Sequence, residues 1–403
     1  MIRRVVCNIR ELAQSKETYK DLCGFYFILS IVLVPIFYTF VIYPFYYDES
    51  LYQWFVFENT VFFLIVTLWV SFLNSCASIR FQRIELWKFN SYQTFYVIIL
   101  SLTGIVSAYL VLNIIKLGFF GFYNGCHYCG PEPVLGFGVL RVLLFDIGVV
   151  LAILLPVSVF VFGFRSFLFL FHAAVSLFLL YYFFVGSYRN QILPVVFCYL
   201  VIWLYKRNNA KLYYFIFMLL APVAAISMAF FHYFGGDSNP TYTLYEYFGK
   251  NEFFSNYNNF IIYNSGFELE QPFSGASYIG PMLHRLSSFI DTGFESSAGQ
   301  MADFMGTGIG YGFSPLLEAL LNFGDYYFIG AVILGSLLYI FRLFLMNIDN
   351  QLMACCFYGL ILFYVFNMCR VDFTAAFNIF FHKALILVVI LALVDFKKVK
   401  YSG

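Results

Sequence analysis

The sequence predicts an all-α polytopic membrane protein with about ten (9–12) transmembrane helices and one large loop on the non-cytoplasmic side. Three observations predict it. Hydrophobic residues make up 62% of the chain and charged residues only 11%, against roughly a quarter charged in ordinary globular domains. Apolar runs near the length needed to cross a hydrocarbon core, about 20 residues, recur from one end of the chain to the other. A single long polar stretch, rich in tyrosine, separates the last three runs from the rest.

The apolar runs fall at roughly 23–45, 53–75, 92–115, 139–162, 167–185, 190–205, 212–231, 326–346, 352–369 and 374–394. The sixth is short for a 30 Å core, so it is tilted, sunken or joined to the fifth in a broken arrangement. One membrane domain follows: residues 1–22 before the first span, seven spans over 23–231, a loop with a re-entrant segment over 232–325, three spans over 326–394, and a tail, 395–403. The first twenty residues lack the h-region of a signal peptide and are expected to stay uncleaved and cytoplasmic. No internal or inverted repeat is visible, which weakens a transporter reading.

Orientation follows from the cations. With the N-terminus inside, the cytoplasmic segments hold 16 of the 23 Lys and Arg residues, the asymmetry of the positive-inside rule. Both termini are then cytoplasmic and the 232–325 loop lies outside. That loop carries Tyr233, Tyr242, Tyr245, Tyr247, Tyr257, Tyr263 and Tyr278, enough aromatic surface to fold against the membrane domain. The net charge is +1 with no basic stripe, so no nucleic-acid partner is expected. The nine cysteines are scattered and form no disulfide framework.

The candidate chemistry sits on the outer side. Arg189, Arg285 and Arg370 lie at membrane ends on that face, where a planar, permanently charged guanidinium suits a phosphate and would stabilise a diphosphate leaving group. Each could equally snorkel to headgroups or pair with a nearby acid, as Arg370 with Asp372. In 306–324 the spaced glycines resemble a nucleotide loop only superficially, since no strand precedes them; a re-entry into the membrane fits better. Pro315 suits the first turn of a helix, which puts Glu318 and Asn322 on one face. They could bind sugar hydroxyls or an acceptor group, or Glu318 could satisfy buried donors. His284 is a candidate general base, although a lone loop histidine is more often structural. Cys126-His127-Tyr128-Cys129 offers too few ligands for zinc, so neither metal nor cofactor is expected. Glu58, Arg141, Asp146 and Lys383 lie within spans and are expected to face the bundle interior, as ion pairs or as a cavity lining.

Gly186-Ser187-Tyr188-Arg189, the segment Gln271-Pro272-Phe273-Ser274-Gly275-Ala276-Ser277-Tyr278, the Gly-rich stretch leading to Glu318 and Asn322-Phe323-Gly324, and Arg370-Val371-Asp372-Phe373 together resemble the O-antigen polymerase (Wzy-type) family of oligosaccharide repeat-unit polymerases. The resemblance covers about 180–375 and rests on the order, spacing and common sidedness of degenerate motifs. It implies a metal-independent glycosyltransferase of the bacterial inner membrane. Such an enzyme transfers a growing glycan from undecaprenyl diphosphate to a second lipid-linked repeat unit at the periplasmic face, for lipopolysaccharide or capsule-like polysaccharide. On that resemblance Arg189, Arg285 and Arg370 hold the diphosphate, His284 or Glu318 takes the acceptor proton, and Tyr278, Asn322 and Asp372 contact sugar. The implied partners are the glycan donor and acceptor, membrane lipids and a chain-length regulator protein. An O-antigen ligase, which passes glycan to lipid A core, shares the architecture. A flippase for lipid-linked oligosaccharide is the alternative from another class.

Overall fold

The computed structural model describes residues 50–76, 91–122, 134, 139–185, 188–205, 255–265, 275–278, 313–348, 350–368, 371 and 373–394. Ten α-helices are found among them: α1 (Ser50–Cys76), α2 (Ser91–Phe122), α3 (Val139–Phe162), α4 (Phe167–Val185), α5 (Arg189–Tyr205), α6 (Ser255–Asn264), α7 (Pro315–Phe323), α8 (Phe328–Met346), α9 (Gln351–Met368) and α10 (Phe373–Leu393), with a 3-10 turn over Gly324–Tyr326. No strand occurs among the described residues. Seven helices, α1 to α4 and α8 to α10, are long and apolar enough to cross a membrane, and α5 is a shorter apolar helix. The described residues are thus all-helical, and their long apolar helices make this a multi-pass membrane protein. The short sixth run is α5, and the first and seventh runs, 23–45 and 212–231, lie outside the described residues.

Burial explains which helices pair. In α1 the buried side chains are Tyr52, Phe55, Asn59, Phe62, Phe63, Val66 and Val70, a stripe at helical spacing. That stripe packs on α8, where Gly335 brings the Trp69 ring and the Val66 carbonyl close. The Trp69 indole N–H donates to Ser336 Oγ at 2.9 Å. At one end of the pair the Tyr327 hydroxyl donates to Glu58, and at the other Arg342 donates to Asn74. α1 and α8 therefore run in the same direction. In α9, by contrast, every residue from Met353 to Met368 is buried. Gly359 is the reason α5 approaches so closely, because a Cβ there would meet the Cys198 backbone. Cys198 donates its thiol to the Cys356 carbonyl of α9 at 3.0 Å.

α3 contains Pro156 in its interior. Proline lacks the N–H that would bond the carbonyl four residues back, here Ala152, and Tyr199 of α5 donates its hydroxyl to that oxygen at 2.5 Å. His172 of α4 bonds Leu151 O through Nε2 and Ser158 Oγ through Nδ1, both at 2.9 Å. One ring nitrogen donates and the other accepts in a neutral imidazole, so Nε2–H donates to the carbonyl and Nδ1 accepts from the serine. The backbone around Pro156 is thereby satisfied by its neighbours, as a water-free interior requires.

Directions place the ends. Phe95 meets Phe162 and Tyr109 meets Phe145, so α2 and α3 are antiparallel. Tyr205 at the end of α5 bonds Gln351 at the start of α9, and Phe344 packs on Phe357 while Phe341 packs on Tyr364, so α9 opposes both α5 and α8. α5 and α8 then share a direction, and the chain between Tyr205 and Tyr327 returns from one end of the bundle to the other. The run 212–231 falls in that interval.

Candidate functional site

Three pieces from the 232–325 region gather at the end of the bundle where α1 and α8 begin. α6 lies against the first turns of α1 through Tyr257 and Phe260. Their rings pack on Tyr52 with a centroid separation of 4.9 Å, on Trp54 at 5.0 Å and on Phe55 at 5.1 Å and 5.8 Å. Trp54 also donates its indole N–H to Glu58 at 3.1 Å. Glu58 is half-buried at this edge and accepts from two aromatic donors.

α7 begins as its residues dictate. Ser314 accepts the Leu317 N–H at 3.1 Å as N-cap, Pro315 occupies the first turn, and Gly324 closes the helix with φ 56°. Its buried face carries both Glu318 and Asn322. The Asn322 amide donates to Ser277 Oγ and to the Glu318 carbonyl, each at 2.7 Å, and accepts from the Gly275 N–H at 2.9 Å. Asn322 thus fixes the 275–278 turn against α7. Gly275 sits at φ 88°, a conformation that only glycine adopts cheaply.

Glu318 is fully buried, and its Oε2 accepts the backbone N–H of Phe373, the first residue of α10, at 2.5 Å. A carboxylate at a helix N-terminus meets orphan N–H groups and the positive end of the helix dipole. Tyr278, also buried, packs its ring on Phe373 with a centroid distance of 5.0 Å and stacks on Phe323 at 6.1 Å. Its hydroxyl lies against Gly330 of α8, where a Cβ would sit 2.7 Å away. Burial, with the Glu318 carboxylate next, pushes the Tyr278 phenol well above its ordinary value. It is therefore a neutral donor beside an acceptor carboxylate. Tyr364 of α9 brings a second buried hydroxyl into the field of Glu318. Two buried phenols thus share the surroundings of a buried carboxylate anchored on a helix N-terminus.

Of the residues proposed from sequence, Glu318, Asn322 and Tyr278 are thus neighbours. The backbone of Arg189 begins α5 at this same end, since α5 opposes α9 and α9 finishes beside α10. Arg370 and Asp372 lie outside the described residues, on either side of Val371, whose N–H bonds Asn367 O at 3.1 Å. His284, Arg285, the glycines of 306–312 and Cys126–Cys129 also lie outside them. Among the described residues no cluster of His, Cys, Asp and Glu could hold a metal ion. Sequence reasoning missed Tyr364, Gly330 and the Phe373 N–H. A backbone donor leaves no trace in a sequence, and Tyr364 is one tyrosine among many.

A second polar cluster lies at the start of α3. Asp146 Oδ1 is 2.5 Å from Lys383 Nζ and Oδ2 is 3.2 Å from His382 Nδ1, which joins α3 to α10 as one of the expected ion pairs. Arg141 is buried with its guanidinium carbon 5.2 Å from the Phe145 ring centre. Its Nη2 donates to the Tyr188 hydroxyl at 3.4 Å.

No protein-family model, curated protein or solved structure matches the chain.

Proposed function

We propose that this membrane protein polymerises undecaprenyl-diphosphate-linked oligosaccharide repeat units at the periplasmic face of the inner membrane, with both termini cytoplasmic. The observation that carries the reading is convergence. Glu318, the 275–278 turn, the start of α10 beside Arg370 and Asp372, and the start of α5 at Arg189 come to one end of the bundle from distant parts of the chain. They are the segments on which the resemblance to Wzy-type polymerases rests.

In the proposed reaction the acceptor hydroxyl attacks the anomeric carbon of the donor glycan. The anomeric C–O bond to the diphosphate breaks, and the diphosphate leaves with the bonding pair. Glu318 or His284 takes the acceptor proton, and Arg189, Arg285 and Arg370 stabilise the charge that develops on the leaving group. Asp372 and the 275–278 turn contact the sugars, the turn through the Tyr278 hydroxyl because its ring is packed between phenylalanines.

The test is reconstitution in liposomes with purified lipid-linked repeat unit as sole substrate. A ladder of polymer is expected, and Arg189→Ala or Arg370→Ala should abolish it. Chains of normal length from either variant would overturn the diphosphate role. A requirement for lipid A core would replace polymerase by ligase.

A further inference from the structure

We propose that Glu58, with the rings of Trp54 and Tyr327, binds the headgroup of a phospholipid that ends in a primary ammonium, the class of phosphatidylethanolamine. The proposal stands apart from the polymerase reading, which makes no use of Glu58.

This carboxylate differs from the other acid of the spans. Asp146 is buried between Lys383 and His382. Glu58 is half-buried at the edge of α1, where the sequence suggested the interior, and it borders an exposed apolar stripe of Phe57, Leu64, Leu68 and Phe72. Both of its oxygens accept from neutral donors, Oε1 from the Trp54 indole N–H at 3.1 Å and Oε2 from the Tyr327 hydroxyl. Among the described residues no cation pairs with it. Asp325, exposed and two residues before Tyr327, adds a second negative charge at the same end.

Depth selects the ligand. α8 has 19 residues, about 28 Å at the helical rise, close to the hydrocarbon thickness of a bilayer. Tyr327 immediately precedes α8, so its partner Glu58 is level with the boundary between hydrocarbon and headgroups. Trp54, one turn farther out, packs its ring on Phe260 at 5.0 Å and is still 42% exposed. A carboxylate without a counter-ion is costly at that depth, and the cations a bilayer itself presents there are headgroup ammoniums. Each carboxylate oxygen has more than one acceptor site, so capacity remains for N–H donors. A primary ammonium fills it, and the exposed indole and the phenol attract the same charge through their π faces. A choline headgroup carries the charge but has no N–H to give. A divalent cation requires about six or more oxygens, whereas this carboxylate is flanked by rings.

The experiment is native mass spectrometry of the full chain in detergent, titrated separately with phosphatidylethanolamine, phosphatidylcholine and phosphatidylglycerol of identical acyl chains. Wild type should hold its first phosphatidylethanolamine about tenfold more tightly than phosphatidylcholine, the scale of a charge-assisted hydrogen bond, with phosphatidylglycerol weaker again. Glu58→Gln should erase that preference. Trp54→Leu should weaken both ammonium lipids about threefold, as a lost cation–π contact does, and leave phosphatidylglycerol unchanged. Equal binding of the three lipids by wild type overturns the site, as does a preference that survives in Glu58→Gln. If Glu58→Gln does not fold, Trp54→Leu decides: a loss confined to the two ammonium lipids supports the site, and unchanged affinity for both overturns it. Displacement of phosphatidylethanolamine from wild type by magnesium chloride at constant ionic strength would make the ligand a divalent cation and overturn the proposal as well.

Discussion

The carboxylate of Glu318 accepts the backbone N–H of Phe373 at 2.5 Å, so α7 is tied to the first residue of α10 by a side chain that also faces two phenols. A glutamine at this position retains an acceptor for that N–H and loses the charge. Glu318→Gln is expected to melt close to the wild type but to lose polymerisation by about 100-fold or more, the scale of a lost proton acceptor. Glu318→Ala should add a stability loss of about 1–3 kcal/mol, because the buried N–H loses its partner. Melting in detergent and product ladders check both. Wild-type polymerisation by Glu318→Gln would assign the residue to architecture alone.

The buried pair Asp146–Lys383 sets a different expectation. Removing one partner leaves a lone charge in the bundle, which typically costs about 3–5 kcal/mol. Lys383→Met and Asp146→Asn should each lower the melting temperature strongly. The double variant should recover most of the loss, since no uncompensated charge remains. A double variant that melts as low as the worse single would show that the two positions do not act as a pair.

Pro156 and Tyr199 should be coupled as well. Tyr199→Phe removes the donor to Ala152 O at a cost of about 1–3 kcal/mol. Pro156→Ala restores a backbone N–H able to serve that oxygen, so Tyr199→Phe should cost distinctly less in its presence. Thermal unfolding of the four members of the cycle measures this, and additive losses would refute the repair.

Tyr327 gives a pH signature outside the spans. Burial, with Glu58 next, pushes its phenol up to about 12 from an ordinary value of 10.0. The folded state therefore holds the proton more tightly than the unfolded chain. The contribution is complete below pH 10.0 and is lost as the pH rises toward 12. Tyr327→Phe should flatten that alkaline limb of the stability curve, read from melting temperatures across the range, and should lower the neutral plateau, where the bond to Glu58 is otherwise intact.

Much of the membrane architecture was legible because apolar runs of span length are a strong signal. The runs at 139–162 and 167–185 coincide with α3 and α4. The pairing of Glu318 and Asn322 on one buried face was legible too, from Pro315 and a four-residue spacing. What they do there was not. The Asn322 amide is spent on the Gly275 N–H and Ser277, and Glu318 binds a backbone donor 55 residues away. Such contacts depend on which helices lie side by side, and hydropathy does not encode neighbours. Arg141 was legible as an inward-facing charge, yet the Tyr188 hydroxyl it bonds is 47 residues away and follows no spacing rule.

The complete enclosure of α9 bears on how the protein is made. Its apolar window is the least hydropathic of the seven spans, and 89% of it is buried by protein. Such a segment gains little from lipid by itself, so it is retained in the bilayer by the helices that surround it. One of those, α10, is synthesised after it and also supplies the N–H that holds Glu318. A nascent chain released before Phe373 would therefore lack both the wall that encloses α9 and the anchor of the carboxylate, so the retention of one helix and the placement of Glu318 both wait on α10.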